Sequence, residues 1–211
     1  MNKRFIGTIL AVILVVAGFL WLTKPNPDSA SSSAQPTNHI EGEGAKGITL
    51  IEYGDYQCPA CGSYYPVLKS LVETYKADIF FQFRNYPLDS IHQNARAGAR
   101  AAEAANMQGK FWEMHDMLYE NQTSWQSASD PLSFYTSYAK QIGIADIDKF
   151  TTDYKSAAVN DLINADLKEG QKLSITSTPT FVLDGKKLEE NPRDQESFNK
   201  LIADAIAAKQ Q

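Results

Sequence analysis

Only two thiols occur in the chain, and they stand together as Cys58-Pro59-Ala60-Cys61. At this spacing two sulfurs can close a small ring and reopen it, so the pair can pass two electrons to another protein. Ile48-Thr49-Leu50-Ile51 ahead of them reads as a buried strand. Pro59 suits the first turn of a helix, where its missing N–H is no loss. Cys58 then falls at the N-cap, where unpaired backbone N–H groups and the positive end of the helix dipole favour thiolate over thiol. Cys58 is therefore the expected nucleophile. A structural disulfide is a weaker use of the pair, because a loop of about four residues gains only roughly 2 kcal/mol. Half a zinc site would need further ligands, and His39, His92 and His115 are scattered. Two inert thiols, adjacent by chance, are the remaining alternative.

The segment from Phe5 to Leu22 carries no charge; Lys3 and Arg4 precede it and Lys24 follows. Its length is near the lower limit for crossing a bilayer and exceeds the usual core of a cleaved signal. No clear Ala-x-Ala site follows, Ser29-Ala30-Ser31 being a feeble candidate. Residues 1–23 are expected to form a cytoplasmic N-terminus and an uncleaved signal anchor, with a cleaved signal peptide as the alternative. The basic N-terminus sends the remainder outside the cytoplasm. Residues 24–38, rich in Pro and Ser, cannot bury enough surface to offset their ordering entropy and are expected to be a flexible extracytoplasmic linker. Residues 39–211 have the size of one domain. The net charge of −5 argues against a nucleic-acid binder. An extracytoplasmic domain with one close cysteine pair and no other cysteine is unlike a disulfide-stapled scaffold.

The elements that must position the pair alternate in the α/β manner. Tyr64, Leu68, Leu71, Val72 and Tyr75 mark the buried stripe of the helix led by Cys58, with Pro66 expected to kink it. Ile79-Phe80-Phe81-Gln82-Phe83 is the next strand, placed parallel to the first by the intervening helix. From about residue 90 to 172 no strand is convincing. Ala95 to Ala105, then Phe111, Trp112, Met114, His115, Leu118 and Tyr119, read as helices whose aromatic positions are core rather than a cofactor box. Gly109 and the polar run Asn121 to Asp130 punctuate them. The sheet resumes at Thr180-Phe181-Val182-Leu183. Asp184-Gly185 is a hairpin turn of the kind that needs positive φ, Lys186-Lys187-Leu188 returns antiparallel, and a last amphipathic helix carries Phe198, Leu201, Ile202, Ala205 and Ile206.

With these residues in view, the chain resembles the DsbA-like thiol–disulfide oxidoreductases of the thioredoxin superfamily. The likeness rests on Ile51-Glu52-Tyr53-Gly54-Asp55-Tyr56-Gln57-Cys58-Pro59-Ala60-Cys61, on Thr178-Pro179-Thr180 before a late strand, and on Gln108-Gly109-Lys110-Phe111-Trp112-Glu113-Met114-His115 within the helical insertion. It covers about residues 39 to 208. The resemblance implies a thioredoxin-like α/β fold with an inserted helical subdomain at about 90–172, behind the N-terminal transmembrane helix. It assigns Cys58 as attacking thiol and Cys61 as buried resolving thiol. It makes Pro179 a cis-proline facing the disulfide, with the Thr178 backbone pairing to substrate, and Glu52 a buried acid that relays the proton of Cys61. A surface glutamate and an ordinary trans proline are the plainer readings of Glu52 and Pro179. The dipeptide Pro59-Ala60 departs from the histidine-containing dipeptide of the strongly oxidising members, so the Cys58 thiolate should be less stabilised than theirs.

The expected activity is disulfide formation in exported cysteine-containing proteins, by a monomeric soluble domain held at the cell membrane by a single span. That domain would face the periplasmic or cell-wall side. No cofactor or metal is expected; a membrane redox partner would reset the pair. A reductase or isomerase using the same cysteines, and a tethered binding or chaperone module, are the rivals.

Overall fold

The computed structural model describes residues 34–210; the expected membrane span and most of the expected linker lie outside them. Among the described residues, no helix is long and apolar enough to cross a membrane. The elements in chain order are β1 (His39–Glu41), β2 (Ile48–Gly54), α1 (Pro59–Tyr75), β3 (Ile79–Asn85), α2 (Ala95–Asn106), α3 (Phe111–Glu120), α4 (Gln122–Trp125), α5 (Leu132–Gln141), α6 (Ile147–Lys155), α7 (Ala157–Lys172), β4 (Thr180–Leu183), β5 (Lys186–Lys187) and α8 (Gln195–Lys209). One sheet runs in the order β1-β3-β2-β4-β5. β2 and β3 are parallel, as a helical crossover requires, while β4 pairs antiparallel with β2.

Period-two alternation decides what each face of β2 meets. Ile48 and Leu50 point to the face covered by α1 and α8, where they pack with Leu68, Leu71, Phe181 and Phe198. Glu52 is next in that series, so the carboxyl is carried into the same apolar layer, with Phe83 and Phe181 at its level on the two neighbouring strands. Tyr53 faces the other way, against Tyr86, Ile175 and Val182. The helical insertion forms its own core, in which alanines of α2 allow close approach by Trp125, Tyr135 and Phe150. Asp184 and Gly185 both have positive φ (48° and 81°), closing the hairpin between β4 and β5.

α1 continues through Pro66. Three details differ from what the sequence suggests. The sheet has an additional edge strand, β1, paired antiparallel with β3 through His39 and Phe83. At the end of the expected linker, Thr37 is buried and donates from its N–H and hydroxyl to Asp166, both at 2.7 Å, so the packed domain begins before residue 39. The polar run Asn121 to Asp130 is more than punctuation: it contains α4, whose Trp125 is fully buried and donates to the Leu118 carbonyl. Buried polar pairs bolt the insertion to the sheet. Asp166 on α7 accepts the Asn85 N–H at 3.0 Å, and Glu103 on α2 accepts from the Asn85 amide at 2.7 Å and lies 2.8 Å from His39 Nε2.

Candidate active site

β2 ends at Gly54, and Asp55-Tyr56-Gln57 carry the chain over the sheet edge into α1. Cys58 is the N-cap of α1, in extended conformation, and Pro59 is its first residue. No side chain caps the helix there, so the N–H groups of the first turn are left to the Cys58 sulfur. Both thiols are free, Cys58 7% exposed and Cys61 1%. Pro59 and Ala60 between them are exposed. From just ahead of β4, the Thr178 carbonyl accepts from Cys58 Sγ at 3.4 Å, and the Thr178–Pro179 peptide is cis. The fold thus brings Cys58, Cys61, Thr178 and Pro179 together from segments 120 residues apart.

The two sulfurs differ sharply in acidity. Cys58 is held down to about 5, against an ordinary 9.0. The hydrogen bond from the Cys61 thiol is the main cause; the N–H groups of Cys61 and Ala60 assist, and burial opposes. Cys61 is pushed well up, first by burial, then by donating to Cys58 and by the charges of Glu52 and Cys58. Glu52 is 2% exposed, and burial, with the Cys58 charge second, pushes its carboxyl up to about 8. Its Oε1 has no hydrogen-bond partner among the described residues. Beside it a cavity of about 310 Å³ opens between α1 and α3, with Glu52 and His115 at its floor, Leu68, Phe81 and Trp112 in its walls and Lys69 at its rim. Such a space, with an unpaired carboxyl oxygen, is polar and roomy enough for water.

Several side chains that carry no motif of their own hold the turn. Asp55 accepts from the Gln57 N–H at 2.8 Å and the Leu88 N–H at 3.0 Å, and its Oδ2 lies 2.7 Å from His92 Nδ1; its carbonyl receives the Cys58 N–H at 3.0 Å. Gln57 reaches the insertion through Gln126 and Asn94. Gln122 of α4 donates to the carbonyls of Tyr56 and Cys58, at 2.8 and 3.0 Å. Tyr119 is buried near the pair, with an unpartnered hydroxyl whose ionisation burial holds well above the ordinary range. The three histidines do not converge. His39 pairs with Glu103, His92 with Asp55, and His115 Nδ1 lies 3.1 Å from the Tyr56 hydroxyl, with burial pushing its ring down to about 3 and leaving it neutral. Asp55 lies inside the active-site segment, so proximity to the cysteines was its available signal. Gln122 had none.

The geometry agrees with comparisons to known proteins. The thioredoxin family model matches residues 34–204. The solved structure of oxidised BdbD from Bacillus subtilis superposes with a TM-score of 0.71, at 22% identity, covering 83% of this chain and 97% of that one. DsbA2 from Pseudomonas aeruginosa is 26% identical with a TM-score of 0.60, covering 81% of this chain and 95% of that one. Curated relatives include an Na(+)/H(+) antiporter NhaA 1 of Salinispora arenicola, 34% identical over 71% of this chain but 22% of its own length. An Na(+)/H(+) antiporter NhaA 3 of Salinispora tropica is 30% identical over 81% of this chain and 25% of that protein. The chain thus spans about a quarter of the length of these curated relatives.

Proposed function

We propose that this chain, which belongs to the thioredoxin family as a DsbA-like thiol–disulfide oxidoreductase, forms disulfides in exported proteins. The observation that carries the direction is the place of Cys58 at the N-cap of α1, where no side chain competes for the first N–H groups and the Cys61 thiol lies in reach; there Cys58 is held down to about 5, while burial pushes Cys61 well up. A thiolate stable at neutral pH favours the reduced enzyme, and a stable reduced enzyme makes its disulfide oxidising.

In the oxidising direction a substrate thiolate attacks Cys58 Sγ of the Cys58–Cys61 disulfide. A substrate–Cys58 disulfide forms, the Cys58–Cys61 bond breaks, and Cys61 departs with the electron pair. Departing as a thiolate is costly for a buried sulfur of raised pKa. Glu52, whose burial pushes its carboxyl up and favours the protonated form, supplies the proton and recovers it through the cavity beside it. A second substrate thiolate then attacks the substrate sulfur of the mixed disulfide. Cys58 leaves as a thiolate, which its low pKa makes an easy departure. The substrate gains one disulfide, and the enzyme holds the two electrons as a Cys58 thiolate and a Cys61 thiol. Thr178 and Pro179 border Cys58, so the backbone of Thr178 is the natural partner for an extended substrate segment, with side-chain discrimination low.

The uncharged run from Phe5 to Leu22, preceded by Lys3 and Arg4, supports a single-pass anchor with the redox domain outside the cytoplasm. There, exported cysteine-containing proteins are its clients and a membrane protein accepts its electrons. The function is tested by equilibrating the pair against glutathione and following the oxidised fraction. An oxidising equilibrium supports disulfide formation; one as reducing as that of thioredoxin, about −270 mV, transfers the role to a reductase. Membrane fractionation tests the anchor, which fails if the mature protein begins near residue 31 and is released as a soluble form.

A further inference from the structure

We propose that Gln122, on the helical insertion, is a positioning residue for the redox turn. Its role is to hold the Cys58 carbonyl so that the Cys58 sulfur stays over the first N–H groups of α1. This rests on the oxidoreductase reading above and extends it to a residue outside the thioredoxin core.

Gln122 Nε2 donates to Cys58 O at 3.0 Å and to Tyr56 O at 2.8 Å, from a residue 64 positions away in sequence from Cys58. The Cys58 carbonyl also accepts the Gly62 N–H at 3.1 Å, the first bond of the α1 ladder. The amide therefore grips the peptide where the turn becomes helix, on both sides of Gln57. Gly62 leaves the room that this grip needs. A Cβ at Gly62 would lie 2.7 Å from Gln122 Oε1 and 3.2 Å from its Nε2. Elsewhere in the same framework, Asn94 Nδ2 donates to the Gln126 and Ala128 carbonyls at 3.1 and 2.8 Å, fixing the backbone just after α4. No side chain caps α1 directly, so apart from its ladder bond to Gly62 the Cys58 carbonyl is held from outside the helix. Gln122 does so as a donor, drawing electron density from a carbonyl close to the thiolate.

Loss of the donor lets the Cys58 peptide rotate, weakening the N–H contacts of Ala60 and Cys61 that help hold Cys58 near 5. The thiolate is then less favoured, the reduced enzyme less stable, and the disulfide less oxidising. A hydrogen bond of ordinary net strength corresponds to about a threefold to tenfold change in such an equilibrium.

The experiment measures two quantities on the full chain: thiolate absorbance of the reduced protein against pH, and the equilibrium enzyme disulfide + 2 glutathione ⇌ enzyme dithiol + glutathione disulfide. Gln122→Ala should raise the Cys58 pKa and move the equilibrium about threefold to tenfold toward the enzyme disulfide. Gln122→Glu, similar in size but without the donor, should move both at least as far. Gly62→Ala separates positioning from stability. Alanine is the better helix former, by about 1 kcal/mol, which offsets the loss of the Gln122 bonds, so thermal stability should change little. The new methyl displaces the Gln122 amide, so the redox equilibrium should still shift toward disulfide, and the shift should not add to that of Gln122→Ala. If the wild type equilibrates with glutathione but Gln122→Ala and Gly62→Ala leave its pKa and equilibrium unmoved, the positioning role is overturned while the oxidoreductase reading stands. If the wild-type pair does not exchange with glutathione at all, the oxidoreductase reading itself fails.

Discussion

Glu52 provides the sharpest quantitative test. In the folded reduced protein its carboxyl ionises at about 8, against 4.5 for an unconstrained glutamate. The folded state therefore keeps a proton that the unfolded chain releases throughout the range between those values. Stability contributed by the neutral carboxyl is fully present below about pH 4.5 and declines as pH rises toward 8. At pH 7 the interval above 4.5, at about 1.4 kcal/mol per pH unit, puts the cost of keeping Glu52 here near 3 kcal/mol. Glu52→Gln removes the ionisable group, so the stability difference between variant and wild type should grow by about 3 kcal/mol between pH 4 and pH 7. Comparing the difference at two pH values cancels the other titrating groups and any packing change caused by the amide. Urea unfolding of the reduced proteins at both pH values is sufficient. An identical difference at both would mean that the Glu52 carboxyl is solvated in the native state, and the proton-donor role would lose its basis.

Other consequences follow from the same geometry. Cys61→Ala should accumulate mixed disulfides with clients through Cys58, while Cys58→Ala accumulates none; alkylation led by Cys61 would reverse the assignment. Because reducing the enzyme releases a proton from Cys58 at any pH above about 5, its glutathione equilibrium should move toward the disulfide about tenfold per unit as pH falls from 7 to 5, then flatten. A slope persisting well below pH 5 would contradict the low Cys58 pKa. Ala60→His should lower that pKa further and raise the potential by about 30 mV for each 1.4 kcal/mol of added thiolate stabilisation, both measurable by the same titrations. Gly54→Ala would put a methyl 2.4 Å from the Phe83 ring and 3.1 Å from the Tyr119 hydroxyl; overpacking of about 1–3 kcal/mol is expected, read from thermal unfolding.

The parts of this fold that were legible in the sequence are those with a local signature. Pro59 after Cys58 marks a helix start, Asp184-Gly185 marks a hairpin, and the strand hydrophobics mark β2, β3 and β4. What was not legible is polar and long-range. β1 has three residues, too few to show a period, and its ladder is joined by His39 meeting Glu103. Thr37 lies in a stretch whose composition says tether, yet one carboxylate 129 residues away accepts two of its bonds. Gln122 sits among residues that would suit any loop. Hydrophobic periodicity reports which face of an element is buried; nothing comparable reports which carbonyl an amide will reach once the chain has folded.

The dipeptide shows why that difference matters for function. Without an imidazole between the cysteines, the sequence implies a thiolate held by the helix N-terminus alone. Instead the largest contribution to the low Cys58 pKa is the hydrogen bond from Cys61, ahead of the backbone N–H groups. A thiol can donate that bond only while it keeps its own proton, and burial beside Glu52 is what keeps it there. The low pKa of one cysteine is therefore a consequence of the high pKa of the other. Glu52→Gln bears on this coupling too, since the Glu52 charge is among the influences raising Cys61. Near pH 7 Glu52 is mostly neutral, so the substitution should leave the Cys58 thiolate titration close to wild type while slowing the step in which Cys61 gains or loses its proton. Stopped-flow measurement of attack at Cys58 and of closure by Cys61 separates the two. Slowing of the first step with the second unchanged would place the Glu52 proton at the wrong sulfur.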